Sequence, residues 1–301
     1  MLNDKLKNYL HLHFIIFIWG FTAILGALIS VDAVSLVWYR ILLAVIFLYA
    51  YIIIKKFSLH VPKQVLLGMV VTGIIIALHW ITFFMAIKVS NVSVTLATIS
   101  TAALFTSILE PIWYKRKMIW YEVMFGLIVV VGLYVIFDVD KAYVTGIILA
   151  LISAFLASVF SLINGKYVKK YRASVISFYE LISGFIFITV YFLFTGQFNA
   201  RFFSLLPSDW LYLILLASVC TTYAFIAGVH VMKHLTPYTV MLTVNLEPVY
   251  GIILAFFILG DEEKMSPQFY FGALIILSVV IINGILKNSL KKKSSSGLLN
   301  S

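Results

Sequence analysis

The chain has 301 residues, of which 63% are hydrophobic and only 11% are charged, and its formal net charge is +10. Soluble domains have about a quarter of their residues charged. A composition this apolar, with a mean hydropathy of +1.07, therefore excludes a soluble globular protein and indicates one integral membrane domain. The single cysteine, Cys220, excludes a disulfide or a cysteine metal cluster within the chain.

Ten apolar segments follow one another along the chain. An α-helix rises about 1.5 Å per residue, so about 20 apolar residues span a hydrocarbon core of about 30 Å. The sequence therefore predicts ten transmembrane helices. They lie near residues 10–30, 33–54, 65–87, 92–114, 119–137, 144–163, 174–195, 209–232, 238–259 and 268–286.

The Lys and Arg residues are concentrated in every second loop. With the N-terminus placed in the cytoplasm, 17 of the 22 Lys and Arg residues lie on the inner side and 3 on the outer side. This bias predicts a multi-pass membrane protein with both termini cytoplasmic. Topology and contact with anionic lipid headgroups explain the positive net charge. Since no soluble element carries a basic face, no nucleic-acid partner is expected.

The ten segments divide into two sets of five. Residues 10–137 form the first repeat (helices 1–5), residues 144–287 form the second (helices 6–10), and residues 288–301 form a basic tail expected to be disordered. Because five is odd, the second set must be inverted relative to the first, as in many secondary transporters. At an offset of 146 residues, Glu247 falls on Thr101. The expected fold is an all-α integral membrane protein with ten transmembrane helices in two inverted five-helix repeats.

Glu247 lies at the predicted midplane of the membrane, since about ten residues of helix correspond to roughly 15 Å. Pro248 follows it and is expected to kink the helix and free the carbonyl of Val244, because proline has no N–H. A charge at mid-bilayer costs about 2.5–3.5 kcal/mol, so it needs a partner, a cavity or a function. The pattern suits a cation, a proton or a substrate amine. The structural alternative is a neutral, hydrogen-bonded glutamate at a kink.

Arg40 and Glu180 each lie about eight residues into a predicted helix. The inversion places Arg40 toward the outside and Glu180 toward the inside, so we do not expect them to pair. Arg40 can hold a substrate carboxylate with two N–H groups, or be satisfied by carbonyls and tyrosines. Tyr39 and Tyr179, which precede them, can each hydrogen-bond a neighbouring helix.

His79 and Trp80 lie in the outer half of the third segment. A histidine titrates near neutrality and a tryptophan stacks on aromatic or cationic groups, although a lone histidine in a membrane is often only hydrogen-bonded. No catalytic or metal-binding residue is expected, and Pro248 is the expected helix kink. The candidate substrate- or proton-binding residues are Glu247, Arg40, Glu180, Tyr39, Tyr179, His79, Trp80, Asn245 and Thr101.

Two motifs of the ninth segment, NLEP at 245–248 and LGDE at 259–262, together with Tyr39-Arg40, resemble the EamA family of the drug/metabolite transporter superfamily. The resemblance covers about residues 10–287. It implies an inner-membrane carrier of small metabolites, often an amino-acid exporter. It also implies a substrate path between the halves, lined by segments 1, 3, 4, 6, 8 and 9. The first half departs from the family pattern, with Thr101-Ala102 where the fourth helix often has a proline.

The expected function is therefore secondary transport of small metabolites such as amino acids, by alternating access between the two halves. Export is the expected direction. No nucleotide-binding loop occurs in the sequence, so neither a nucleotide partner nor a cofactor is expected. Protons as a coupling ion and a homodimer are left open. The alternative is an integral membrane enzyme of the acyl- or phospho-transferase type acting on a lipid-linked substrate. The sequence has no HExxH or GxSxG motif, so we do not expect an enzyme.

Overall fold

The computed structural model describes residues 4–115, 117–118, 120–139, 143–200 and 202–297, and these residues form helices and loops without a β-strand. Two shorter elements interrupt the α-helices: a π-helical segment, Leu216–Tyr223, and a 3₁₀ turn, Gly260–Glu263. The α-helices are α1 (Asp4–Leu28), α2 (Ala33–Ile54), α3 (Lys63–Val89), α4 (Val92–Ile99), α5 (Ala102–Trp113), α6 (Trp120–Val139), α7 (Val144–Tyr167), α8 (Ala173–Thr195), α9 (Pro207–Leu215), α10 (Ala224–Val231), α11 (Pro237–Val244), α12 (Glu247–Leu259) and α13 (Pro267–Gly297).

Seven stretches of the described helices are long and apolar enough to cross a membrane, which makes the chain a multi-pass membrane protein. The three other predicted segments are also helical: they coincide with α6, with the pair α11 and α12, and with the first part of α13. Ten membrane crossings stay a prediction. The seven stretches are Leu6–Leu28, Ala33–Ile54, Lys63–Val89, Val92–Trp113, Val144–Tyr167, Ala173–Thr195 and Pro207–Val231.

The last helix differs from its prediction. The tenth segment is predicted to end near residue 286, whereas α13 is described as far as Gly297, where the described part of the chain also ends. The physical reason is local: between residues 285 and 296 the sequence contains neither glycine nor proline, and Leu and Lys are good helix formers.

The fourth and ninth predicted segments are each broken in the same way. In the first, α4 has 8 residues and α5 begins after a gap at Ser100-Thr101. In the second, α11 has 8 residues and α12 begins after a gap at Asn245-Leu246. Both breaks coincide at an offset of 145 residues, one fewer than the sequence register, so Glu247 corresponds to Ala102 rather than to Thr101.

Small residues let the helices approach one another closely. Gly73 of α3 lies against the backbone carbonyl of Glu180, and a Cβ at Gly184 of α8 would lie 2.9 Å from the carbonyl oxygen of Gly73. A side chain at either glycine would push α3 and α8 apart. Such contacts hold helices together in a membrane, where the lipid is as apolar as the side chains.

Two buried carboxylates fasten loops to helix starts at one end of the molecule. Asp209 accepts hydrogen bonds from the backbone N–H and the hydroxyl of Ser30, at 2.7 and 2.6 Å. Glu263 accepts from the N–H groups of Val92 and Ser93, at 2.9 and 2.8 Å, and from the Ser93 hydroxyl at 2.7 Å. Each contact joins the first half of the chain to the second. We call these two contacts the clasps.

Candidate functional site

A cavity of about 100 Å³ lies between the helices of the two halves. All six segments expected to line a substrate path contribute to it, and α2 contributes Arg40 in addition. Its polar lining includes Thr22, Arg40, His79, Ser161, Cys220 and Glu247, and its aromatic lining includes Trp19, Trp80, Phe83, Phe160 and Phe225. We call this space the central cavity.

Arg40 is the buried cation of the central cavity, with 2% of its surface exposed. Its Nε donates to the hydroxyl of Thr221 at 2.6 Å, and its guanidinium carbon lies 3.9 Å from the ring centroid of Trp80. The buried Nη1 has no hydrogen-bond partner within the structure. A guanidinium fixed at Nε and stacked on a ring, with free N–H groups at its tip, is prepared to bind a planar anion.

The π-helical segment places the hydroxyl of Thr221 where it accepts the hydrogen bond from Arg40. The hydroxyls of Thr221 and Thr222 donate to the carbonyls of Leu216 and Ala217, five residues earlier, at 2.7 and 2.8 Å. Short π-helical stretches often occur at functional sites. This wider turn presents Thr221 to α2, so the winding of one helix determines the orientation of the arginine on another.

Glu247 faces the same central cavity from the start of α12, with 9% of its surface exposed. A carboxylate is favoured at this position because the N-terminus of a helix carries partial positive charge. Within the described residues, no Lys, Arg or His nitrogen lies within 4 Å of a Glu247 oxygen. The carboxylate is therefore available to a ligand.

The helix is interrupted just before Pro248 by a tight turn, in which the N–H of Leu246 donates to the carbonyl of Thr243 at 3.0 Å. The chain leaves α11 at Val244 and resumes helical geometry at Glu247, so Pro248 lies in the first turn of α12. Proline is tolerated there because the first N–H groups of a helix have no partner within it. This interruption places Glu247 in the first turn of α12.

His79 and Trp80 both line the central cavity, but they differ in the contacts that already engage their rings. The Nδ1 atom of His79 lies 2.8 Å from the hydroxyl and 2.9 Å from the carbonyl oxygen of Ser153 on α7. These contacts fix the ring and leave Nε2 without a hydrogen bond among the described residues. Trp80 is occupied by its stacking with Arg40.

Glu180 lies away from the central cavity. It is fully buried, and its Oε2 accepts a hydrogen bond of 3.3 Å from Asn164 of α7, while Oε1 has no partner. Because Arg40 bonds Thr221 instead, the structure does not bring Arg40 and Glu180 together. The polar group around Glu180 is a separate cluster between α7 and α8.

The remaining candidates do not line the central cavity. The hydroxyl of Tyr39 donates to the carbonyl of Phe202 at 2.9 Å, and that of Tyr179 donates to the carbonyl of Leu59 at 2.7 Å, so each joins its helix to a loop. Thr101 bonds the carbonyl of Thr98 at the break before α5. Asn245 is buried at the second break, and its side-chain nitrogen has no partner.

Sequence reasoning missed several lining residues. Cys220 lines the central cavity, and the neighbouring Thr221 holds Arg40 without lining it. The adjacent Thr221 and Thr222 are the clearest unused signal, because two polar threonines in an apolar segment need partners. Phe83, Phe160 and Phe225 carry none, since 16% of all residues are aromatic and the pattern does not separate cavity from lipid. No three His, Cys, Asp or Glu side chains among the described residues form a group able to hold a metal ion.

Comparison with known proteins agrees with this architecture. The model of the EamA-like transporter family matches the chain twice, over residues 8–138 and 144–285. An uncharacterized transporter of Archaeoglobus fulgidus is 23% identical over 295 residues, which is 93% of this chain and 98% of that protein. A crystal structure described only as that of a protein is similar with a TM-score of 0.70. It covers 94% of this chain and 99% of its own at 16% identity, a likeness that concerns the fold alone.

Proposed function

Because the chain belongs to the EamA-like transporter family and is a membrane transporter, we propose that it exports small zwitterionic metabolites such as amino acids. The observation that carries this proposal is that two opposite charges face one cavity without forming an ion pair. Arg40 offers free N–H groups to a carboxylate, and Glu247 offers an unpaired carboxylate to an ammonium group. A zwitterion matches both, and it compensates two buried charges that otherwise cost free energy.

The size and walls of the central cavity narrow the substrate further. About 100 Å³ is well below the roughly 300–1,000 Å³ of sites for drug-sized ligands, so the substrate is a small molecule. The rings of Trp19, Phe160 and Phe225 favour an apolar side chain over a charged one. The direction of export rests on the family resemblance.

Alternating access between two inverted halves is the proposed mechanism. Two observations support it: the family model matches once in each half, and α4 breaks from α5 at the same register as α11 from α12. Broken helices beside a central site are a common feature of transporters built from inverted repeats. In this mechanism the clasps open when the cavity faces the outside and re-form when it faces the cytoplasm.

The test is transport by the purified protein in sealed liposomes, with labelled amino acids of different side chains and with a pH gradient present or absent. We expect uptake of apolar amino acids and loss of uptake in Arg40→Gln. Removing a charged hydrogen-bond partner costs about 1.5–3 kcal/mol, which corresponds to a roughly tenfold to hundredfold weaker apparent affinity. Equal uptake by wild type and Arg40→Gln would refute the assignment of the substrate carboxylate.

A further inference from the structure

A second cavity, of about 750 Å³, opens at the opposite end of the molecule from the clasps. It lies between the first part of α1, the end of α2, the loop that joins α7 to α8, the π-helical segment and α10. It shares no lining residue with the central cavity. We call it the basic cleft.

The mouth of the basic cleft is strongly cationic. Lys169, Lys170, Arg172 and Lys233 line it, and no Asp or Glu is among its lining residues. Within the described residues none of the four has a carboxylate oxygen within 4 Å. The start of α8 also lines the mouth and has no side-chain cap, so backbone N–H groups add to the positive field. Four unpaired cations around one concave surface indicate an anionic ligand.

Behind the mouth, the lining of the basic cleft is mixed: Ile226, Ala227 and the ring of Tyr51 lie beside the polar side chains of His11, Ser218, Thr222 and His230. It extends from Lys233, just after α10, along α10 and the π-helical segment to Ser218, which is roughly 20 Å. Tyr51 and Tyr223 line its sides and are 41% and 43% exposed, so the cleft opens sideways toward the lipid-facing surface. A soluble anion would fill only the mouth. An anionic head joined to an apolar chain would also occupy the length of the cleft beside Tyr51, Ile226 and Ala227.

We propose that the basic cleft binds one anionic phospholipid, with its phosphate among the cations of the mouth and an acyl chain along α10. The site differs from general attraction of lipid headgroups to basic loops, because the four cations converge on one cavity and the chain has a defined groove. Arg172 is held in place for this role: its guanidinium carbon lies 4.4 Å from the ring centroid of Phe57.

The experiment is native mass spectrometry of the purified full chain with phosphatidylglycerol, phosphatidylcholine or glycerol 3-phosphate. The test variant is Arg172→Gln/Lys233→Gln. The matched control is Lys55→Gln/Lys63→Gln, which removes two charges at the same end of the molecule but outside the cleft. A third variant, Ser218→Phe, fills the end of the cleft farthest along the helix from Lys233 and leaves every charge in place.

We expect one tightly held phosphatidylglycerol per chain and little phosphatidylcholine. The test variant should bind phosphatidylglycerol roughly tenfold to thirtyfold more weakly, since each cation near a membrane surface contributes measurably to binding an anionic lipid. Ser218→Phe should also weaken binding, while the control should bind as wild type does. Equal losses in the test and control pairs would refute the site. Tight binding of glycerol 3-phosphate that Ser218→Phe does not affect would refute the lipid as its occupant.

Discussion

Arg40 and Glu247 face one cavity from helices at opposite ends of the sequence, and no hydrogen bond or ion pair joins them. The arginine is held instead by Thr221 and Trp80, and the carboxylate lies at the start of α12. Two opposite charges that share a small cavity without neutralising each other define a site for a ligand with both charges. The predictions below concern this relationship and the parts of the fold that maintain it.

The hydroxyl of Thr221 positions Arg40 for the substrate. Thr221→Val keeps the shape of the side chain but removes the acceptor from Nε. We expect the KM for an amino-acid substrate to rise roughly tenfold, because a hydrogen bond to a charged group is worth about 1.5–3 kcal/mol. Thr222→Val is the matched control, since Thr222 bonds only the backbone of Ala217 and Ala44. An equal rise in KM for both variants would contradict the positioning role.

The sequence Leu-Glu-Pro occurs twice, at 109–111 and at 246–248, and the two glutamates should differ in function. Glu247 lines the central cavity, whereas Glu110, which is buried near the end of α5, does not. Glu247→Gln should abolish most transport, while Glu110→Gln should leave most of it intact, when both are measured in liposomes at equal amounts of folded protein. If the two variants lose the same fraction of activity, the site is not where we place it.

Glu247→Gln also distinguishes proton coupling from binding of a substrate amine. The replacement keeps the shape of the side chain but can neither gain nor lose a proton. If protons are coupled at Glu247, the variant should lose transport driven by a pH gradient and retain exchange of labelled for unlabelled substrate. If the carboxylate binds the ammonium group, exchange should fail as well. Wild-type rates in both assays would show that Glu247 is structural.

The charge bias of the loops predicts which side each end of the bundle faces. On a Cys220→Ala background, a cysteine at Lys170 should react with a membrane-impermeant reagent only from the cytoplasmic side. A cysteine at Asp261 should react only from outside, because the acidic loop lies on the outer side in the positive-inside arrangement. Both positions are exposed, so protection does not arise from burial. Reaction of both from the same side would overturn the inverted-repeat proposal.

The carboxylate of Glu263 should stabilise the fold more than the carboxylate of Asp261, two residues away, does. Its carboxylate satisfies two N–H groups at the start of α4, and loss of a helix N-cap costs up to about 2 kcal/mol. We expect Glu263→Ala to lower the Tm of the purified protein by several degrees. Asp261→Ala, an exposed acid two residues away, is the control and should leave the Tm unchanged. A shift of the same size in both would show that only the loop charge matters.

The sequence alone determined the class of protein, its helical segments and its family, because hydrophobic length, charge asymmetry and the residues around Glu247 are local properties. It also identified Arg40, His79, Trp80 and Glu247 as candidates, since a polar group in an apolar segment costs free energy in the membrane and therefore needs a reason. It did not determine which of the candidates meet. Tyr39, Tyr179 and Glu180 have the same signal in the sequence as Arg40, yet they face other contacts.

Only the tertiary structure decided which groups converge. The break before Glu247, the π-helical turn that presents Thr221, and the basic cleft each depend on how distant helices pack. In a membrane nearly every face of a helix is apolar, so hydropathy does not tell the face toward a neighbour from the face toward lipid. The close approach at Gly73 and Gly184 and the hydrogen bonds between helices choose the face, and they exist only once the chain is folded.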